Sequence, residues 1–295
     1  MKVIYEDYKN IRNDEQITLT LGNFDGFHLG HQRLVKRVLS YNDTKSAVMT
    51  FDPHPSQVLR RQNFYILSKK EDKIKYIGTL PIDYLFIVKF NEEVSKLSVN
   101  EFIKFLKGLN VKRIVVGRDA RFAYRGQGTI QDLKKHFFVD VLDDYLYDQM
   151  RVSTTYIKDF IRQGDLEETK KLLNKPYQIT GNVVHGNQIG KKLGFPTANV
   201  DYGNYLLPRI GVYGVHITID KKTYLGIANV GFNPTLNYSQ TKKLEVFILD
   251  FKDNIYDKEV KVIFDMYIRE EQKFKNKEEL IQQISVDEAK VRSLN

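Results

Sequence analysis

Gly22-Asn23-Phe24-Asp25-Gly26-Phe27-His28-Leu29-Gly30-His31 stands between a β-branched run and the helical pattern Gln32–Ser40. Its placement decides what it could do. A glycine-rich turn that leads from a strand into a helix aims backbone N–H groups and the positive end of the helix dipole at one point, where an anion is stabilised. Gly22, Asn23, Phe24, Asp25, Gly26 and Gly30 are therefore candidates for a phosphate cradle. His28 and His31, at the first helical turn, project to one face and can donate hydrogen bonds to phosphate oxygens. Gly30 between them removes the side chain that would block a ligand's approach. A tight turn with one capping histidine would use several of the same residues. The coincidence of glycines, paired histidines and strand-to-helix context favours the phosphate reading.

A second group lies in the far half: Gly181-Asn182-Val183-Val184-His185-Gly186, then Gly190-Lys191-Lys192-Leu193-Gly194-Phe195-Pro196-Thr197-Ala198-Asn199. Glycines ahead of a lysine pair expose backbone amides to phosphate, which makes Gly186, Gly190 and Lys191 phosphate candidates. Thr197 and Asn199 offer a hydroxyl and a carbonyl, hard oxygen donors suited to magnesium. A proline-glycine turn also accounts for Gly194–Pro196 without a ligand. Glu245 is the sole charge in Leu244–Leu249, and a carboxylate beside a buried face needs a partner or a purpose. Strand alternation allows equally that it faces outward.

The 295 residues, 42% hydrophobic and 28% charged, suit a globular protein of two domains. No apolar run reaches the roughly 18 residues of a membrane span, and MKVIYEDYKN lacks the apolar stretch of a signal peptide, so the expectation is a cytoplasmic protein without a membrane partner. With no cysteine, disulfides, thiolate metal sites and cysteine nucleophiles are excluded. Any metal must be held by oxygen or imidazole, which favours Mg2+. The net charge of +9 divides as +6 over residues 1–174 and +3 over 175–295, without a basic tail. Phosphorylated small molecules explain it better than nucleic acid does.

These residues need elements to hold them. Short strand-like runs, Ile17–Leu21, Ala47–Phe51, Tyr84–Phe90, Arg113–Gly117 and Phe137–Leu142, alternate with helical patterns, as βαβ units of a parallel sheet do. Ser68 with Glu71 and Ser98 with Glu101 read as capping boxes. Short helices are expected over Thr154–Arg162 and Leu166–Leu173, and Asn174-Lys175-Pro176 closes a first domain of residues 1–174. In the second, 175–295, the runs Ile179–His185, Val212–Ile219, Thr223–Asn229, Leu244–Leu249 and Val260–Asp265 predict a small β-barrel or sandwich, with a hairpin at Asp220-Lys221 and a terminal helix from Lys277 to at least Ser285.

His28-Leu29-Gly30-His31 matches the HxGH signature of the nucleotidyltransferase superfamily, whose domain is a Rossmann-like α/β sheet. The longer GNFDGxHxGH pattern resembles the bacterial bifunctional riboflavin kinase/FMN adenylyltransferase, or FAD synthetase, family. Phe51-Asp52-Pro53-His54-Pro55, Val116-Gly117-Arg118-Asp119 and Val152-Ser153-Thr154-Thr155-Tyr156-Ile157-Lys158 match further motifs in the same order. In the second half GFPTAN, Gly211-Val212-Tyr213, Gly231-Phe232-Asn233-Pro234-Thr235, Leu244–Phe251 and Arg269-Glu270-Glu271-Gln272-Lys273-Phe274 resemble riboflavin kinase, a barrel.

The resemblance implies two reactions, both with ATP as co-substrate and magnesium: riboflavin plus ATP gives FMN, and FMN plus ATP gives FAD and pyrophosphate. It implies that His28, His31 and Asn23 contact ATP phosphates, with Ser153, Thr154 and Lys158 beside them; that His54, Asp119 and Arg269 face the flavin; that Glu245 is the kinase base; and that Thr197 and Asn199 hold the metal. Ser153 or Thr154 would also serve as an ordinary helix cap, His54 as part of a rigid turn and Arg269 as a surface charge. The chain departs from the family pattern at three places: Lys158 replaces an arginine, Ala120 and Ala123 replace the Phe and Gly of DFRFG, and Phe247 replaces a histidine. The alanines motivate an alternative, a riboflavin kinase with a degenerate or redirected nucleotidyltransferase domain. A basic nucleic-acid-binding protein is the rival from another class.

Overall fold

β-Branched and aromatic runs pair wherever they can bury both faces, and in the first half they do so in parallel. The computed structural model describes residues 1–59, 64–186, 195–232 and 242–294. It divides into two compact units, Met1–Thr154 and Thr155–Asn295. The first holds β1 (Lys2–Glu6), β2 (Ile17–Leu21), β3 (Lys45–Asp52), β4 (Tyr84–Lys89), β5 (Val111–Gly117) and β6 (Phe138–Leu142) in one sheet of order β1-β4-β3-β2-β5-β6. Every pairing in it is parallel. The helices are α1 (Leu29–Leu39), α2 (Pro55–Val58), α3 (Lys70–Ile77), α4 (Glu92–Ser95), α5 (Val99–Gly108) and α6 (Ile130–Lys134). A small hairpin, β7 (Leu146–Tyr147) with β8 (Met150–Arg151), follows β6.

Strand alternation sends Leu19, Met49, Phe86 and Val88 to one side, against Phe102, Ile103 and Leu106 of α5. Val48, Leu85 and Ile87 go to the other, against Val35 of α1 and Ile77 of α3. Each such side chain contributes roughly 1.5–3 kcal/mol on burial. The chain leaves β2 toward β3 on one flank and returns as β5 on the other, so the C-terminal end of β2 is the sheet's switch point, where open α/β sheets form their crevice. Ser98 and Glu101 form the expected capping box. The one expected at Ser68 and Glu71 is displaced: Lys69 is the N-cap of α3, and its N–H donates to Asp72 Oδ2 at 2.9 Å.

The second unit takes most of α7 (Thr154–Gln163), then α8 (Leu166–Leu173), β9 (Tyr177–Val184), β10 (Thr197–Asp201), β11 (Gly211–Ile219), β12 (Lys222–Phe232), β13 (Lys242–Ile248), β14 (Glu259–Arg269) and α9 (Lys277–Arg292). Its strands close into an antiparallel barrel of order β10-β13-β12-β11-β14-β9. The hairpin at Asp220-Lys221 forms as expected, with both residues left-handed at φ 48° and 70°. Val183, Val215, Val246 and Phe264 are buried in it, and α9 covers part of the outside through Val291 and Ile284, beside Val212 and Ile227. The units divide ahead of the boundary expected at residue 174, because the Arg209 N–H donates to the Ile161 carbonyl of α7 and Gly164 lies against Arg209, both features of the barrel side.

Candidate active sites

A cavity of about 270 Å³ opens at the switch point, lined by Gly22 and Phe24 after β2, by Gly117, Asp119 and Ala120 after β5, by Asp143–Tyr145 after β6, and by Arg151–Thr154. His28, Gly30, His31 and Arg33 of α1 and its cap complete that wall. The turn before α1 is held in an unusual backbone: Phe24 and Phe27 are left-handed at φ 48° and 47°. For a residue with a Cβ this costs on the order of 1–3 kcal/mol. Burial of both rings, 0% and 3% exposed, offsets it.

His28 is the N-cap of α1, and its Nδ1 accepts the His31 N–H at 3.4 Å. That bond assigns the proton of a neutral His28 to Nε2. The two imidazoles stack with centroids 3.6 Å apart and planes 22° from parallel. A Cβ at position 30 would stand 3.1 Å from His28 Cε1, so glycine there lets the ring lie flat against the helix. The amides of the first turn of α1, its dipole and the two imidazoles together make a place that suits an anion.

Of the candidates read from the sequence, Gly22, Phe24, His28, Gly30, His31, Asp119, Ser153 and Thr154 line the cavity. Asn23, Asp25, Gly26, His54 and Lys158 are not among its lining residues. Asp25 turns inward, 2% exposed, and its Oδ1 accepts the N–H groups of Leu67 at 2.7 Å and Ser68 at 3.0 Å. Ser68 Oγ accepts the Gly26 N–H at 2.9 Å, which is why Ser68 does not cap α3. The Asn23 carbonyl accepts the Thr50 hydroxyl at 3.0 Å and the Asp25 carbonyl the Thr154 hydroxyl at 3.3 Å. Asn23, Asp25 and Gly26 thus fix the shape of the turn. His54 caps α2, its Nδ1 accepting the Ser56 N–H at 3.1 Å, and its ring lies 4.8 Å from that of Phe64. Lys158 stands one turn along α7, in the second unit.

Sequence reasoning missed the charged rim. Arg151 pairs with Asp119 at 2.5 Å and Asp144 at 3.0 Å, and Arg118 with Asp143 at 2.5 Å. Arg33 donates to the Asp143 carbonyl at 3.3 Å. The hydrogen bond from Arg151 to Asp119 pushes the guanidinium above its already high range. Its position directly ahead of Val152-Ser153-Thr154 was the available signal.

On the barrel, Glu245 of β13 is half-buried and outward-facing, between the buried Leu244 and Val246. It stands in register with Asn199 of β10 on one side and Asn229 of β12 on the other. Asn229, missed in the sequence, donates from Nδ2 to Glu271 at 3.0 Å. A Cβ at Gly186 would lie 2.2 Å from Asn199 Nδ2, so the Asn199 amide occupies space that only glycine leaves open. Thr197 shares this face, two residues from Asn199 and opposite Phe247, whose ring meets Phe195 edge-on at 5.3 Å. Gly190 and Lys191 lie outside the described residues. Arg269 is committed elsewhere: its guanidinium grips the carboxylate of Asp287 in α9, with Nη2 to Oδ2 at 2.7 Å, and Asp287 is 1% exposed. Among the described residues no three His, Asp or Glu gather as a metal cluster. The hydroxyl and amide oxygens of Thr197 and Asn199 fit a magnesium ion that keeps most of its ligands from water and phosphate.

The comparisons with known proteins cover both units. Residues 10–156 match the family model of FAD synthetase and residues 173–295 that of riboflavin kinase. The bifunctional riboflavin kinase/FMN adenylyltransferase of Listeria monocytogenes is 37% identical over 308 residues, covering 99% of this chain and 98% of that one. The chain belongs to this bifunctional riboflavin kinase/FMN adenylyltransferase family. The Bacillus subtilis member is 36% identical over 282 residues, covering 91% of this chain and 89% of its own. A crystal structure described as a macrolide-efflux protein of Streptococcus pneumoniae shares the fold, with a TM-score of 0.85, 31% identity and 98% of each chain covered. Among the described residues of this family member no helix is long and apolar enough to cross a membrane.

Proposed function

We propose that the chain converts riboflavin and ATP to FMN and ADP on its barrel, and FMN and ATP to FAD and pyrophosphate in the cavity of its α/β unit. The observation that carries the proposal is that each unit gathers its own cluster of polar side chains: the His28–His31 stack at the sheet's switch point, and the Asn199–Glu245–Asn229 row in register on the barrel.

In the α/β unit a phosphate oxygen of FMN attacks the α-phosphorus of ATP in line, and pyrophosphate leaves. Such a step needs positioning and charge neutralisation rather than a protein nucleophile. His28 and His31 supply ring N–H donors, the first turn of α1 supplies amides, and Ser153 and Thr154 supply hydroxyls from the start of α7. Arg33, Arg118 and Arg151 place cations at the rim. Asp119, beside them, is our candidate for the flavin side, with His54 as a second.

On the barrel Glu245 accepts the proton of the ribityl 5′-hydroxyl as that oxygen attacks the γ-phosphorus and ADP departs. Thr197 and Asn199 would hold magnesium, which when bound neutralises phosphate charge. Gly186, with Gly190 and Lys191, is proposed for the ATP phosphates. Arg269, given its grip on Asp287, acts on the fold of α9 and not on the flavin. On this reading the positive charge serves phosphorylated small molecules in the cytoplasm, not nucleic acid or a membrane.

Ala120 lines the cavity where the family carries phenylalanine, which favours one second reading: the adenylyl acceptor differs from FMN. Incubating the protein with riboflavin, ATP and magnesium and separating the flavins tests both. FMN followed by FAD is the expected outcome. FMN alone supports the second reading, and neither product overturns the proposal.

A further inference from the structure

The segment Arg269-Glu270-Glu271-Gln272-Lys273-Phe274 connects β14 to α9, and its first three residues reach three different elements. Arg269 grips Asp287 of α9, Glu270 pairs with Arg209 ahead of β11, and Glu271 turns to β12, where its Oε1 accepts the Asn229 Nδ2–H at 3.0 Å. Glu271 is seated there as well as bonded. A Cβ at Gly231, two residues along β12, would stand 2.7 Å from Glu271 Cδ, so the carboxylate fills space that only glycine leaves open. Glu271 is itself exposed, and an exposed contact of this kind adds little to stability, so a staple of the fold does not account for it.

With Nδ2 donated to Glu271, Asn229 presents its carbonyl oxygen Oδ1 as an acceptor. Asn229 lies directly across from Glu245 in the β12–β13 register, both of them half-buried on the outer face of the barrel, where cross-strand neighbours stand roughly 4.5–5.5 Å apart at Cβ. An acceptor this close to the proposed base suits a polyol, which carries hydroxyls on successive carbons. While Glu245 takes the proton of the terminal hydroxyl, Asn229 Oδ1 accepts a hydrogen bond from the hydroxyl next to it.

We infer that Glu271 is a positioning residue for the acceptor substrate of the kinase: seated over Gly231, it takes the Asn229 amide N–H and so turns the Asn229 carbonyl toward the ribityl chain beside Glu245. The inference rests on the riboflavin kinase reading given above. Glu271 touches no substrate; its effect passes through Asn229.

The test uses the full-length chain, with FAD formation from supplied FMN as an internal control. Glu271→Ala, Glu271→Gln, Gly231→Ala, Asn229→Ala and Asn229→Ala/Glu271→Ala are assayed for FMN formation, with kcat and KM for riboflavin measured separately and thermal unfolding recorded. Glu271→Ala is expected to raise KM for riboflavin about 3- to 10-fold, the range of one hydrogen bond, with kcat within about twofold of wild type and the unfolding temperature and FAD formation unchanged. Glu271→Gln, whose side-chain carbonyl can still accept the Asn229 N–H, is expected to bring KM back to within about twofold of wild type. Gly231→Ala displaces the carboxylate without removing it and is expected to raise KM as Glu271→Ala does. In the Asn229→Ala background Glu271→Ala is expected to add less than about twofold, because the bond it breaks is already gone. A KM for Glu271→Ala within about twofold of wild type overturns the inference, as does a loss confined to kcat, a Glu271→Gln protein as impaired as Glu271→Ala, or an undiminished further loss in the Asn229→Ala background. Where Gly231→Ala does not fold, the Asn229→Ala background decides. A wild-type chain that makes FAD from supplied FMN but no FMN from riboflavin fails differently: it removes the kinase reading itself, and the inference with it.

Discussion

His28 and His31 stack face to face, 3.6 Å between ring centroids, with the His31 N–H donated to His28 Nδ1. The pair therefore has divided labour. His28 is bound to the helix terminus as a cap and fixes the entry angle of α1, while His31 stands in the first turn of the helix and lines the cavity.

That division predicts unequal effects of two alanine substitutions. His31→Ala is expected to lower FAD formation by about 100-fold or more, with unfolding of the first unit little changed. His28→Ala is expected to impair FAD formation and also to destabilise that unit by about 1 kcal/mol through the lost cap. FMN formation from riboflavin should survive both. Steady-state assays of the two half-reactions, alongside thermal unfolding, check this, and equal destabilisation by the two substitutions would contradict it.

The Arg269–Asp287 pair predicts stability, not catalysis. Asp287 is 1% exposed, so Arg269→Met strands a buried carboxylate with only the Gln283 amide, 2.9 Å away, and the expected loss is about 3 kcal/mol. Arg269→Met/Asp287→Leu should regain much of it, because an apolar pair of similar volume needs no counter-charge. Urea unfolding followed by circular dichroism gives both values. KM for riboflavin in the folded Arg269→Met protein should stay within about twofold of wild type; a tenfold rise would return Arg269 to the flavin.

Asp132 gives the first unit an acid-sensitive edge. The Thr129 hydroxyl, then Lys135 and the Thr129 N–H, hold its carboxyl down at about 2, below the 3.8 of a free aspartate. A group whose folded value is depressed contributes stability that is present above its unfolded value and is lost as the pH falls toward the folded one. Between about pH 4 and pH 2 the unfolding temperature of wild type should therefore drop more steeply than that of Asp132→Asn. Parallel curves for the two proteins across that window would refute the assignment.

Element types were readable where the local pattern is strong. Ile17–Leu21 is buried on both faces and alternates with helices, and Asp220-Lys221 takes the left-handed turn its neighbours imply. The strand Lys2–Glu6 escaped because it lies at the sheet edge with most residues exposed, so KVIYE carries little hydrophobic pattern. Ser68 misled because a serine ahead of an acidic residue looks like a cap, and only the fold brings Gly26 and Asp25 to compete for it. The same holds for Arg269 with Asp287 and Asn229 with Glu245: partners brought together by strand register or helix docking leave no spacing to read.

Glu245 offers the sharpest separation of the two activities. Its carboxylate stands between Asn199 and Asn229 in register, outward-facing and half-buried, in a strand whose inward residues Leu244 and Val246 already fill the barrel. Glutamine at this position keeps the shape and the hydrogen bonds an amide can make, but cannot take a proton from a primary alcohol. Glu245→Gln should therefore lower FMN formation by about 100-fold or more, within the range a positioned general base contributes, with the unfolding temperature unchanged. FAD formation from supplied FMN should remain at the wild-type rate, because the adenylyl step uses His28, His31 and the first turn of α1. Asn229→Ala, by contrast, removes a neighbour rather than the base and should cost less, mainly in KM. If Glu245→Gln retains full kinase activity, the base lies elsewhere; if it also abolishes FAD formation, the two sites are not independent.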